Sequence, residues 1–462
     1  MAELKKTAIS EEKVAKLFSR LDLSVGKLPR GYGAPEKRQP VHTVYGGAHL
    51  FRADSARRLG DIALRAMEEY APDAGTLCAA SGLSNEHAEV IYSRVMEKLR
   101  REPVEDFRLD FEDGYGNRPD AEEDGHSESS AIEVANGMAA NQLPPYIGIR
   151  IKPLNPELRA RSIRTLEIFV GTLAARGGGD LPANFVVTLP KITSPAQVTV
   201  LVDFLESLEE EGRLRPGTIQ VELMVETTES VFNAKGECAL PELVAAARGR
   251  CRGAHFGTYD YTAACGITAA HQTMTHPACD FARSVMQVVL AGTGIWISDG
   301  ATNILPVPIH RAAKDGFALS EVQTADNRSA VHRAWKLHAE HIQHSLINGF
   351  YQGWDLHPAQ LVTRYTAVYD FFLNGLESAS DRLRNFVEKA AQATLVRDVF
   401  DDAATGQGLL NYFLRAMHAG AITEKEAKER SGLKLEELRS GSFLMILENR
   451  KAKPKGGEFA GE

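Results

Sequence analysis

Eight short runs of apolar, β-branched and aromatic residues recur between positions 41 and 357, separated by longer stretches of helical periodicity. The runs are VHTVYGGAHL (41–50), DFRLDFED (106–113), YIGIRIK (146–152), FVVTLPKI (185–192), IQVELMVET (219–227), GAHFGTYDY (253–261), GIWIS (294–298) and GFYQGWDLH (349–357). Amphipathic helices are expected between them, at 54–70, 156–175, 195–211, 240–249, 276–291 and 328–346. Strands that alternate with helices build βαβ units and a parallel sheet. Eight of them over residues 41–365 fit an α/β fold of the (β/α)8 TIM-barrel type with a few insertions. A doubly wound open sheet is the rival, but no G-x-G-x-x-G follows any run.

The flanks differ in pattern. Residues 1–40 read as an N-terminal arm, with one helix from Glu11 to Leu21 and then the Gly/Pro/Arg-rich KLPRGYGAPEKRQP. Residues 366–448 read as helical throughout, a C-terminal helical subdomain, and 449–462 as a frayed Lys/Gly-rich tail.

Charge and cysteine usage remove several classes of function. The net charge is −8 with no basic segment, which argues against nucleic acid as a partner. No apolar run reaches the roughly 18 residues of a membrane helix, and the polar start MAELKKTAISEEK lacks a secretory signal. Cys78, Cys238, Cys251, Cys265 and Cys279 contain no CxxC, so disulfide scaffolds and zinc knuckles fit poorly and a cytoplasmic protein with reduced thiols fits better.

A (β/α)8 barrel builds its site at the carboxyl ends of its strands. Those ends carry Glu112 and Asp113, Arg150 with Lys152, Lys191, Glu226, Asp260, Asp299 and His357. Any one of them alone reads more readily as a helix cap or a solvated loop residue; the series is what points to a site. Glu112 and Asp113 are adjacent like charges, which need solvent, a cation or an arginine beside them. Glu226 and Asp260, on neighbouring strands, suit one hard divalent cation, Mg²⁺ or Mn²⁺, with positions left for water and substrate. Arg150 offers a planar fork for a carboxylate or a developing enolate oxygen. Lys191 is either a Schiff-base nucleophile or a charge-balancing cation among these carboxylates.

Three other features have two readings each. The Gly pair in HTVYGGAHLF either admits a substrate anion to backbone N–H groups or makes a tight turn. The histidines at 332, 338, 341 and 344 lie on a helix without HEXXH and fit a mostly solvated face. RGGGD (176–180) reads as a flexible turn rather than a phosphate loop.

At these same residues the chain resembles the citrate lyase beta-subunit and HpcH/HpaI aldolase superfamily, which includes malyl-CoA and citramalyl-CoA lyases. LDFEDGYG resembles the family's DLED strand end, GIRI its arginine strand, TLPKI its PK strand and LMVETTES the strand with a metal-ligand glutamate. FGTYDYTAACGI resembles the segment with the metal-ligand aspartate, ISDG the seventh strand end, and GWDLHPAQL the GK…IHP.Q segment. The pieces occur in order over most of residues 41–365, as expected of a divergent branch, with an insertion at 72–104 before the second strand.

The resemblance implies that Glu226 and Asp260 bind Mg²⁺, that Arg150 contacts the substrate, and that Glu112 and Asp113 line the site. It also implies a late acid/base aspartate, for which Asp402 in FDDAATG is the nearest match, and a homo-oligomer, trimer or hexamer. The expected function is a Mg²⁺-dependent carbon–carbon lyase or aldolase acting on a 2-oxo or 3-hydroxy acid or its CoA thioester, a small-molecule substrate. The alternatives are an enolate-dependent condensing or phosphoryl-transfer enzyme of the phosphoenolpyruvate/pyruvate barrel type, and a non-catalytic barrel scaffold.

Overall fold

Strands buried on both faces need apolar residues at nearly every position, and FVVTL and QVELMV supply them. A computed structural model of the chain describes residues 12–16, 18–19, 38–311, 318–388, 394–396, 399–401, 403–443 and 445–446. Its strands are β1 (His42–Gly47), β2 (Asp106–Asp110), β3 (Tyr146–Arg150), β4 (Phe185–Leu189), β5 (Gln220–Val225), β6 (Cys251–Phe256), β7 (Trp296–Ser298) and β8 (Gly353–Asp355). All neighbours pair in parallel in the order β7-β6-β5-β4-β3-β2-β1-β8. A parallel bridge between Ala301 and Trp354 joins the segment after β7 to β8 and brings the two edges together. The amide of Asp299 donates to Gln352 O at 2.8 Å and that of Trp354 to Gly300 O at 3.1 Å across this seam. The fold is a (β/α)8 barrel.

The flanking helices follow the expected spacing: α1 (Ser55–Tyr70), α2 (Ala74–Ser81), α3 (Ala88–Arg101), α4 (Asp120–Ala139), α5 (Arg159–Arg176), α6 (Pro195–Glu211), α7 (Leu240–Ala246), α8 (Thr258–Ala264), α9 (Pro277–Leu290), α10 (Glu321–Ile347) and α11 (Gln360–Glu388). Helices α2 and α3 occupy the stretch expected as an insertion. Helix α4 was not singled out by periodicity because its buried face is small and partly polar, with Ser127, Ser130, Ala131, Val134 and Gly137. Helix α11 runs through positions 365 and 366 without a break, and its far end shares one apolar core with the later helices through Leu383, Phe386, Leu410 and Phe413.

Two expectations need correction. The segment 366–448 is not helical throughout, because β9 (Thr394–Val396) and β10 (Val399–Asp401) form an antiparallel hairpin; their β-branched and aromatic residues favour the pleated backbone. It is followed by α12 (Ala403–Ala419), α13 (Glu424–Ser431) and α14 (Leu435–Arg439). The histidine face of α10 is not solvated: His338 and His341 are buried, His338 against Asp355 at 3.1 Å and His341 against Thr302 at 2.8 Å. Helix α10 packs against α11 and α2, so two of its sides face protein. Among the described residues no helix is long and apolar enough to cross a membrane.

Inside the barrel, inward positions alternate along each strand. Arg108 lies in register with Gly148, so its guanidinium crosses β3 over a residue without a side chain and reaches Thr188 at 3.1 Å and Glu222 at 2.5 Å. The inward residues of β2, in turn Asp106, Arg108 and Asp110, lead toward the carboxyl end.

Candidate active site

Strand β2 ends at Asp110, whose carboxylate accepts from the amides of Glu112 at 3.0 Å and Gly114 at 2.7 Å. The loop thus folds tightly back on the strand end; a Cβ at Gly114 would stand 2.6 Å from Asp110 Oδ2. The Gly pair of β1 serves the same close packing, because a Cβ at Gly47 would lie 2.5 Å from Gly114 O. That observation favours the tight-turn reading of this pair.

Asp110 is also the direct partner of Arg150, opposite it in the β2–β3 register. Arg150 Nε and Nη2 donate to the two Asp110 oxygens at 2.8 and 2.6 Å. Its Nη1 lies 3.1 Å from Glu112 Oε2 and 3.8 Å from Asp113 Oδ2. The guanidinium rests over the Tyr45 ring at 4.8 Å, with the Trp354 ring at 5.9 Å. Burial opposes the charge on Arg150, but Asp110 and Glu112 outweigh it and hold its pKa well above the ordinary value. A guanidinium has five N–H groups, so these contacts leave one on each Nη for a further acceptor.

Lys191 follows β4 with φ +51°, a left-handed conformation rare for a residue with a side chain. Its amide donates to Glu226 Oε1 at 2.7 Å, while its ammonium contacts Glu112 and lies 3.5 Å from Asp113 and 3.4 Å from Asp260. Burial pulls the Lys191 pKa down, yet Glu112, Glu226 and Asp113 together raise it. Glu226 stands one residue past β5, where Thr227 caps the following turn and donates to Ile192 O. Glu226 is fully enclosed, and burial, with Asp260 adding to it, pushes its carboxyl up to about 7 against Lys191 and Arg150. Asp260, in the first turn of α8, has a side chain 41% exposed. Burial likewise raises the Glu112 pKa despite Arg150 and Lys191. Asp113 is 61% exposed; burial works against its charge, but Glu112, Arg150 and Lys191 lower its pKa.

Arg150, Glu112, Asp113, Lys191, Glu226 and Asp260 therefore form one cluster, with Asp110 as a member that sequence reasoning passed over. Lys152, Asp299 and His357 do not join it. Lys152 turns to Glu123 at 2.9 Å, Asp299 to Arg283 at 2.7 Å, and His357 caps the turn to α11 by accepting from Ala359 N at 3.2 Å. Asp402 lies outside the described residues.

The cluster holds five carboxylates against two cations. Gly257 opposite β5 leaves space for the Glu226 carboxylate, since a Cβ there would stand 2.5 Å from Oε2. Glu226 and Asp260 supply hard oxygen donors, the kind Mg²⁺ takes from one or two carboxylates with the rest from water and substrate. Among the described residues no three His, Cys, Asp or Glu side chains are arranged around one ion.

Fold and site together define a (β/α)8 barrel with an acidic, arginine-bearing rim at the carboxyl ends of its strands. The chain belongs to the family described as a domain of unknown function, DUF6986, which matches residues 26–446. Among solved structures it is similar to a citrate lyase from Burkholderia xenovorans LB400, at 17% identity and TM-score 0.53 over 86% of this chain and 98% of that one. That likeness shows the barrel fold. Haloferax volcanii malate synthase matches at 15% identity and TM-score 0.44, covering 87% of this chain and 97% of that one. The protein CitE from Mycobacterium tuberculosis, in complex with magnesium, acetoacetate and coenzyme A, matches at 16% and 0.42 over 86% and 100%. No curated protein matches the sequence.

Proposed function

We propose that the chain is a divalent-metal-dependent carbon–carbon lyase that cleaves or forms a bond beside the carbonyl of a 2-oxo or 3-hydroxy acid or its CoA thioester. The observation that carries this reading is the uncompensated negative charge of the rim, gathered around a buried arginine with two N–H groups to spare. Glu226 and Asp260 would hold Mg²⁺ or Mn²⁺, which when bound supplies Lewis-acid polarisation of a substrate oxygen.

The chain's own residues do the rest. Asp110 clamps one edge of the Arg150 fork, and the Tyr45 ring supports its face, so the guanidinium is oriented before substrate arrives. The free N–H groups of Arg150 are placed to receive charge that develops on a carbonyl oxygen. Glu112 would be the proton carrier of the acidic pair: burial raises its pKa, while that of Asp113 is lowered.

The test is proton exchange at the methyl group of pyruvate, followed by ¹H NMR in D₂O with Mg²⁺ or Mn²⁺. Exchange is expected with the wild type, and Arg150→Met should slow it about 100-fold, the loss typical for a donor to developing oxyanion charge. If no exchange occurs with pyruvate, 2-oxobutyrate or oxaloacetate, the enolate reading is wrong and the scaffold reading gains.

A further inference from the structure

One residue touches every acidic member of the rim other than Asp110. Lys191 reaches Glu226 through its amide at 2.7 Å, and Glu112, Asp113 (3.5 Å) and Asp260 (3.4 Å) through its ammonium. Its backbone is left-handed, with φ +51°. Strained positions of this kind persist where the surroundings fix them, and they gather at functional sites. The side chain is 31% exposed, so it is not locked under the rim.

Resting on the metal-site reading above, we propose that the Lys191 ammonium is an internal counter-cation that competes with the divalent ion, directly for Asp260 and through space for the charge of Glu226. Metal entry would then be an exchange, in which the ammonium gives up Asp260 and keeps Glu112 and solvent. Without Lys191 the five carboxylates would face Arg150 alone, and like charges this close repel, so the ammonium offsets part of that charge whenever the metal is out. Lys191 therefore sets the metal affinity of the rim without being a metal ligand, which makes it a positioning residue.

The experiment is calorimetric titration of the full chain with Mn²⁺ for wild type, Lys191→Met and Lys191→Arg. The methionine variant should bind about tenfold tighter, the effect of removing one partly screened positive charge, and the arginine variant should stay near wild type. In parallel, Mg²⁺ should increase acetylation of Lys191 by acetic anhydride, read by mass spectrometry on the wild type; this readout stands even if Lys191→Met does not fold. If the wild type binds Mn²⁺ but the methionine variant binds no tighter, or if Mg²⁺ leaves Lys191 labelling unchanged, the exchange is overturned while the metal site survives. If neither protein binds Mn²⁺, the metal-site reading itself falls, and the exchange with it.

Discussion

The barrel interior has two charged layers, and they are built to opposite rules. In the lower layer Arg108 contacts Asp106 and Glu222, Thr188 donates to Glu222 at 3.0 Å, and His255 Nε2 lies 3.2 Å from Glu222. Tyr45 closes the chain with its hydroxyl 3.1 Å from His255 Nδ1, and the adjoining void of about 10 Å³ has room for one water. Burial works against the Glu222 charge, but Arg108 and His255 hold its carboxyl far below the ordinary range. The upper layer lies further along the same strands, four residues on from Glu222 to Glu226 and from Arg108 to Glu112, and leaves Glu226 and Glu112 with raised pKa values. Both layers hold buried carboxylates and an arginine; the upper one adds the exposed Asp113 and Asp260 and has more carboxylates than cations. A compensated layer holds the barrel together, and the uncompensated one is where we propose that an ion and a substrate bind.

The difference can be broken first at Arg108. Arg108→Met leaves Asp106 and Glu222 buried without their cation, and denaturant unfolding should show a loss of about 3–5 kcal/mol. A loss under about 1 kcal/mol would mean that the lower layer is not compensated by this residue.

Glu226→Gln should act in the opposite direction. The folded pKa of about 7 lies above the ordinary 4.5, so the folded state keeps a proton that the unfolded chain releases. Wild-type stability should then fall as pH rises from about 4.5 to about 7 and level off beyond it. The glutamine variant should lack that fall and be more stable at pH 8, by roughly 3 kcal/mol at most. Parallel stability–pH curves for the two proteins would remove the claim that the rim is uncompensated. The same proton must leave before Glu226 can ligate an ion, so Mn²⁺ affinity in the wild type should climb with pH up to about 7.

The smallest expected effect joins the layers. Tyr45→Phe removes the hydroxyl contact to His255 but keeps the ring under Arg150, and should cost about 1 kcal/mol in unfolding. If that substitution also shifts Mn²⁺ affinity, the two layers are coupled rather than separate.

Much of this was legible from residues alone, for physical reasons. Runs such as FVVTL, short, β-branched and followed by proline or polar residues, read as strands covered on both faces, and the residues after them stand at the strand ends. That is why Arg150, Lys191, Glu226 and Asp260 could be named as one set. Asp110 was missed because it sits inside the apolar run, although Asp106, Arg108 and Asp110 share one parity and hence one face of β2. Lys152 and Asp299 were overread: each follows a strand but turns outward to a helix partner, Glu123 or Arg283, that no local pattern announces. The hairpin after α11 was hidden by its helical neighbours, since two three-residue strands carry little period of their own.

The central claim is that the upper layer is a divalent-metal site made by Glu226 and Asp260. Calorimetric titration of Mn²⁺ at pH 8 into wild type, Glu226→Gln and Asp260→Asn, each shown folded by circular dichroism, tests it most directly. One ion should bind per wild-type chain, and both substitutions should weaken binding at least about tenfold, the scale of losing one charged oxygen donor. Wild-type protein that binds no Mn²⁺, or variants that bind it as tightly as wild type, would contradict the assignment.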